Sequence, residues 1–189
     1  MNWTGIRRMQ VIGKEPVTVN EVLEQLRLDN TEQNLMIENQ ILTARLAIEK
    51  ELNRALVYST YQLSFDRFSS KDFELLFADE AEIESIKYFD VENVEQTLDP
   101  SAYIVDTARL PVKVFLIYLP DTNKEHPSAV TVKYKTGYAD IKNIPQPIKQ
   151  AIIMLACDLY LNPEVKTEIK LFQNKTYNLL LNDYRILPI

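Results

Sequence analysis

The chain offers few side chains for nucleophilic, redox or metal chemistry. It contains one histidine, one cysteine and three glycines among 189 residues. His126 lies in the polar loop DTNKEHPS, and we interpret it as a solvated loop residue. Cys157 lies on an apolar helical segment, where burial disfavours the thiolate that a nucleophile needs. This composition predicts no catalytic residue, no phosphate-binding loop, no zinc site and no cofactor.

An acidic run is the second place to look for chemistry. Asp79, Glu80, Glu82 and Glu84 lie close together in the sequence, and carboxylates can bind a divalent cation. Their spacing is not that of a calcium-binding loop, so a solvated face is the simpler interpretation. A small cytoplasmic enzyme that uses a carboxylate pair, drawn from this run together with Asp66, is the alternative from a different functional class.

The net charge, the apolar segments and the cysteine count exclude further classes of function. The formal net charge of −6 argues against a protein that grips nucleic acid through its phosphates, because such a grip needs clustered Lys and Arg. The N-terminal residues MNWTGIRRMQVIGK lack the apolar core of a signal peptide, and no apolar stretch is long enough to cross a bilayer. A single cysteine fits a reducing compartment. We expect a cytoplasmic protein without a membrane partner.

The N-terminal part of the chain predicts a helix pair over residues 17–54. The first helix begins at a capping box formed by Thr18 and Glu21. The second helix, over residues 32–54, carries an apolar stripe at helical spacing. The residues of this stripe are Ile37, Ile41, Ala44, Ile48 and Leu52.

The C-terminal part predicts a second helical region over residues 145–183. Pro145 and Pro147 favour a helix start. The helix that follows is apolar nearly all round, so other elements must cover it on more than one side. A last helix over residues 168–183 completes a small bundle.

Between the helical regions, residues 58–135 predict an antiparallel sheet of about six strands. Apolar and polar residues alternate in this region, as is typical of half-buried strands. On the first strand Tyr61, Leu63 and Phe65 share one face. Residues 1–14 lack a clear period and are interpreted as an arm or a short edge strand. The fold class is therefore α+β.

Five stretches of the chain match the elements of one known family. They are EPVTVNEVLEQLRLDN, NLMIENQILTARLAIEKELNRALV, IESIKYFDVENVEQTLDPSAYIVD, VTVKYKTGY with IPQPIKQAIIMLACDLYLNPE, and NLLLNDYR. Together they resemble the head–tail connector (adaptor) proteins of tailed bacteriophages, also described as possible DNA-packaging proteins, over residues 15–185. The chain departs from the family pattern in two places: the hairpin turn at residues 90–93 lacks the glycine often found there, and Pro163 replaces a common arginine.

The resemblance implies a structural virion protein that is not an enzyme. It implies a single connector-like domain over residues 1–189 that assembles into a dodecameric ring under the portal, at the head–tail junction. The ring would extend the DNA channel and join head to tail. Its partners would be other copies of the chain, the portal protein and a tail-side joining protein, while DNA passes through without specific binding. Assembly would take place in the cytoplasm of the bacterial host. A head-completion or tail-terminator type of joining protein is the alternative within this class.

The resemblance also suggests which surfaces dock. We expect the N-terminal arm and the last segment to contact the portal or a neighbouring copy. The predicted docking residues are Trp3, Ile6, Ile169, Phe172, Tyr177, Leu180, Leu181, Tyr184 and Arg185. The alternative is that the last helix covers the central helix. The acidic run from Asp79 to Glu84 would face the channel and repel DNA.

Overall fold

The computed structural model describes residues 3–29, 33–162 and 175–187, except for the side chains of Trp3, Lys175 and Thr176. Over these residues the chain forms four α-helices and eight β-strands. The helices are α1 Val19–Leu26, α2 Asn34–Leu52, α3 Gln146–Leu161 and α4 Lys175–Leu181. The strands are β1 Trp3–Val11, β2 Ser59–Phe65, β3 Asp72–Glu74, β4 Ala81–Phe89, β5 Glu95–Thr97, β6 Tyr103–Asp106, β7 Lys113–Leu116 and β8 Val130–Thr136. Helices precede and follow an inserted antiparallel region, so the predicted α+β fold is confirmed.

The described residues form two compact units. The β unit comprises residues 3–12, 57–137 and 186–187 and contains all eight described strands. The helical unit comprises the described parts of residues 13–56 and 138–185 and contains the four helices.

The β unit consists of two antiparallel sheets. The larger has the strand order β1-β2-β8-β4-β5, and the smaller has the order β3-β7-β6. Leu63 on β2 lies opposite Val132 on β8, which lies opposite Ile86 on β4, and all three side chains are fully buried. Because successive strand residues point to opposite faces, this register places one face of β2 and one face of β8 in the core, together with Ile86 of β4. The prediction of a single sheet of about six strands is corrected to two sheets, since local alternation does not specify which strands pair.

The N-terminal residues form an edge strand, which is one of the two interpretations of residues 1–14. Strand β1 pairs with β2 from Trp3 opposite Phe65 to Val11 opposite Ser59. Two register shifts interrupt this pairing, and such bulges increase the local twist of a strand.

The helical unit is built around α3, as the sequence predicts. Ile148, Ala151 and Ile152 on this helix are fully buried. All five residues of the α2 stripe are buried in the same core, which confirms the helical period seen in the sequence. The helix predicted over residues 168–183 is described from Lys175 onward, and its first part lies outside the described residues.

The predicted capping box begins α1. The Thr18 side chain accepts a hydrogen bond from the Glu21 backbone N–H at 3.3 Å, and the Glu21 carboxylate accepts one from the Thr18 backbone N–H at 2.6 Å. Val17 and Val22, the apolar pair around the box, are both buried. Two backbone donors at the helix start are satisfied in this way.

Replacing Thr18 by alanine is expected to lower the free energy of unfolding by about 1 kcal/mol, because an N–H group at the helix start loses its acceptor. Urea denaturation followed by circular dichroism measures this change. Thr43→Ala is the matched control, since Thr43 is exposed in the middle of α2 and bonds only to the Asn39 carbonyl. Alanine is the better helix former at such a position. Equal losses in the two variants would contradict a capping role.

Candidate assembly surfaces

The last described helix contributes two residues to the core of the helical unit. Tyr177 and Leu181, both predicted to dock on a partner, are fully buried on α4. Burial, reinforced by the nearby Glu51 carboxylate, raises the pKa of the Tyr177 hydroxyl. The prediction is corrected at these two positions, because residues four apart share one helix face and that face is turned inward.

The remainder of this segment is partly accessible. Arg185 forms an ion pair with Glu51 on α2, and its guanidinium is half-buried. Leu180 and Tyr184 are also half-buried. The most accessible apolar residue of the described segment is Leu179, which is 77% exposed and was not singled out from the sequence. Leu179 is two residues from both Tyr177 and Leu181 in the sequence. Residues two apart on a helix do not share a face, so this spacing predicts that Leu179 faces outward when the other two are buried.

The N-terminal docking residues lie on β1. Trp3 begins this strand, and its side chain lies outside the described residues. Ile6 is half-buried and lies opposite Leu63. Ile169 and Phe172 lie outside the described residues as well.

Two carboxylates of the acidic run project from strand β4. Glu82 accepts a hydrogen bond from the Tyr58 hydroxyl at 3.2 Å, and Glu84 forms an ion pair with Lys135 at 3.0 Å. Burial and the hydrogen bond to Glu82 raise the pKa of Tyr58, while the hydrogen bond to Glu84 raises the pKa of Lys135. This part of the sheet surface therefore mixes carboxylates with a hydroxyl and a cation.

The other two members of the run precede the strand. Asp79 accepts a hydrogen bond from the Glu80 backbone N–H at 3.0 Å, and the Glu80 carbonyl accepts one from the Thr136 hydroxyl at 2.6 Å. Among the residues that the structure describes, no three His, Cys, Asp or Glu side chains are grouped as metal ligands.

His126 is packed against an aromatic ring, so the prediction of a solvated loop residue is corrected. Its ring stacks on Phe89 with 3.9 Å between centroids and 17° between planes. The Nδ1 atom is enclosed and has no hydrogen-bond partner among the described residues. The loop after β7 folds back on the end of β4, where the Asn123 backbone N–H donates to the Phe89 carbonyl. His126 is therefore half-buried, with one face of its ring covered by Phe89.

Strand β1 and the residues after it form a surface that we call the basic edge. Residues 1–14 contain three cations and no carboxylate. Arg8 is turned toward the sheet, where its Nε donates to the Tyr61 hydroxyl at 2.7 Å. The remaining cations are exposed together with three apolar side chains, of which Met9 is 52% exposed. The basic edge consists of Arg7, Met9, Val11 and Ile12, all in the β unit.

The β4–β5 connection forms a second surface, which we call the acidic hairpin. Residues 89–99 contain four carboxylates and no cation. Val91 is 67% exposed at its tip, and Val94 is also exposed. Asn93 adopts a φ of +62°, so asparagine supplies the left-handed residue for which the family pattern has glycine. The acidic hairpin consists of Asp90, Val91, Glu92, Val94, Glu95 and Asp99.

Hydrogen bonds fix two of these carboxylates in their charged form. The Asp90 carboxylate accepts from the Val94 backbone N–H at 2.9 Å, and this bond is the main reason that its pKa is lowered. The hydroxyl and backbone N–H of Ser101 lower the pKa of Asp99 in the same way. These hydrogen bonds therefore favour the charged form of Asp90 and Asp99.

None of the described helices is both long and apolar enough to span a bilayer.

Solved structures of gene transfer agent (GTA) particles contain chains with the same fold. A chain from the neck of an empty GTA particle computed with C6 symmetry has a TM-score of 0.79 and 17% identity, covering 98% of this chain and 97% of that chain. A chain from the virion of a native GTA particle has a TM-score of 0.79 and 16% identity, covering 97% and 96%. A chain from the neck of a native GTA particle computed with C12 symmetry has a TM-score of 0.68 and 18% identity, covering 96% and 97%. At these identities the likeness establishes the fold. A search of curated proteins finds no match.

The family is established by the sequence itself. The sequence profile of the head completion protein family matches residues 15–183. The matched stretch contains all four described helices and strands β2 to β8. The chain therefore belongs to the head completion protein family.

Proposed function

We propose that this protein is a ring-forming subunit of the neck of a phage-like particle. The ring is positioned under the portal, extends the DNA channel and joins the head to the tail. One observation carries the proposal: a member of the head completion family aligns nearly end to end with chains from particle necks. The symmetries named for those necks, C6 and C12, support a ring, and twelve copies fit both.

Within this ring, the chain works as one connector-like subunit over residues 1–189. Other copies of the chain, the portal and a tail-side joining protein are its neighbours, and the exposed residues of β1 and of the last segment are the candidates for contact with the portal or a neighbouring copy. The carboxylates of Glu82 and Glu84 face the DNA channel and reduce adhesion of the passing duplex, although Lys135 offsets part of their charge.

The alternative enzymatic use of carboxylates is not favoured. Asp66 accepts a hydrogen bond from the Ser128 backbone N–H at 3.4 Å, and Glu82 and Glu84 have the structural partners described above. Each of these carboxylates therefore has a structural partner for one of its oxygens. Membership of a family of head completion proteins supports a structural role instead.

Deleting the gene for this protein from its phage-like genome is expected to abolish the joining of heads to tails. Electron microscopy of the lysate should show filled or leaking heads and separate tails, and the wild-type gene supplied in trans should restore tailed particles. Normal tailed particles in the deletion strain would overturn the proposed function.

A further inference from the structure

The basic edge and the acidic hairpin lie at opposite ends of the same sheet. In the order β1-β2-β8-β4-β5, strand β1 is one edge and β5 is the other. Among the described residues, β1 pairs only with β2 and β5 pairs only with β4. Strands β1 and β5 both belong to the β unit, so their separation across the sheet does not depend on the helical unit.

The two surfaces carry opposite charge. The basic edge presents Arg7, and no carboxylate occurs in residues 1–14. The acidic hairpin presents four carboxylates, and among the described residues Glu95 is the one that forms an ion pair, with Lys87 at 2.7 Å. Hydrogen bonds favour the ionised state of Asp90 and Asp99. Opposite fields of this kind favour association and fix its orientation.

Each surface also exposes apolar side chains between its charges. Met9, Val11 and Ile12 are each about half exposed on the basic edge, and Val91 and Val94 are more than half exposed on the hairpin. An apolar centre with a charged rim is the usual composition of a protein interface. The apolar patches are small, so the charges decide which partner fits.

We infer that the basic edge of one copy docks on the acidic hairpin of the next copy around the ring. This inference rests on the proposed function and names the contact that closes the ring. Two different surfaces on opposite sides of one subunit make a head-to-tail contact, and such a contact generates a ring when the rotation closes.

The contact is made by side chains rather than by extension of the sheet. Two register shifts bulge β1, and β5 is only three residues long. Bulges and short, charged strands are the features by which proteins prevent edge-to-edge strand pairing. Ion pairs and apolar contacts remain available to these side chains.

Charge reversal tests the inference in the deletion strain, where tailed particles are counted and incorporated copies are measured by mass spectrometry. Variant A is R7E, and variant B is E92R/E95R. Variant A sets a carboxylate against the acidic hairpin, whereas variant B cancels the net charge of the hairpin and sets two arginines against Arg7. We expect tailed particles to fall at least about tenfold in each variant alone. Co-expression of A and B is expected to restore them, because in alternating copies the introduced carboxylate of A faces the arginines of B and Arg7 of B faces the unchanged hairpin of A. The chain carrying all three substitutions is expected to restore them as well.

A control variant separates this contact from other effects of charge. K71E changes the net charge by the same amount as variant A at an exposed lysine of the β unit, and it should assemble normally. Circular dichroism checks that A and B are folded. Normal assembly of A or B alone, or failure of the A and B mixture to assemble when both are folded, would overturn the inferred contact. Failure of the wild-type gene to restore tailed particles would overturn the proposed function instead.

Discussion

Replacing Arg45 by methionine is expected to lower the free energy of unfolding by ~3–5 kcal/mol, the largest effect predicted for a single side chain of the helical unit. Arg45 is 2% exposed on α2. Its guanidinium donates to both oxygens of Glu15, at 2.8 and 2.9 Å, and to the Glu49 carboxylate at 2.8 Å. Glu49 is also buried and accepts from the Leu56 backbone N–H at 2.8 Å. Methionine fills a similar volume but removes the Arg45 cation from the buried Glu49 carboxylate.

The desolvation of Glu49, rather than the loss of Glu15, produces most of this effect. Glu15 is 37% exposed, so water can solvate it when the arginine is removed. The double variant R45M/E49Q also removes the buried charge of residue 49, while the glutamine oxygen still accepts from the Leu56 backbone N–H. We therefore expect it to recover a large part of the stability.

Urea denaturation of the wild type, R45M and R45M/E49Q measures these differences. Glu38→Ala, an exposed change on the same helix, is the control and should shift stability by less than about 0.5 kcal/mol. A loss below about 1 kcal/mol in R45M, or no recovery in the double variant, would show that the ion cluster is not a determinant of stability.

Replacing Gly137 by alanine is the second substitution with a large expected effect, a loss of about 2–4 kcal/mol. Gly137 follows strand β8 with a φ of +98°, a region that residues with a Cβ avoid. An added Cβ would lie 2.6 Å from the Val57 carbonyl oxygen and 2.8 Å from its carbon. Both neighbours are backbone atoms next to β2, so relief requires movement of the chain itself.

Gly5→Ala provides the matched control for this prediction. Gly5 lies in β1, and a Cβ added there has no neighbour within 4 Å. The same chemical change should be neutral or slightly stabilising at this position, because it reduces the freedom of the unfolded chain. Thermal melts of the two variants compare them directly. Similar behaviour of both would mean that the contact with Val57 is relieved cheaply.

Local features of the fold could be predicted from the sequence because each depends on neighbours within one turn or one strand. The capping box needs only Thr18 and Glu21, and the α2 stripe needs only helical spacing. The Arg45 cluster was missed because Glu15 lies thirty residues away and joins it only in the folded helical unit. The pair Arg45 and Glu49, four apart beside an apolar stripe, was the available signal.

The candidate site depended on long-range pairing and could not be predicted in the same way. Strand β8 inserts between β2 and β4, and this insertion is what places β1 and β5 at opposite edges. The charges of residues 1–14 and 89–99 can be read from the sequence. Their placement at the two edges of one sheet cannot, because it depends on the order of the strands. Likewise, the i,i+4 pair Tyr177 and Leu181 could face either the core or a partner until α4 was placed.

The buried thiol of Cys157 makes the protein suitable for site-selective labelling. Its side chain is 8% exposed on α3, and burial raises its pKa, so little of the reactive thiolate is present at neutral pH. A cysteine introduced at an exposed position outside the proposed contact, such as Lys71, would therefore be the faster to react with a maleimide dye. Donor and acceptor fluorophores attached there on separate copies would report the distance between adjacent subunits while a neck is being built.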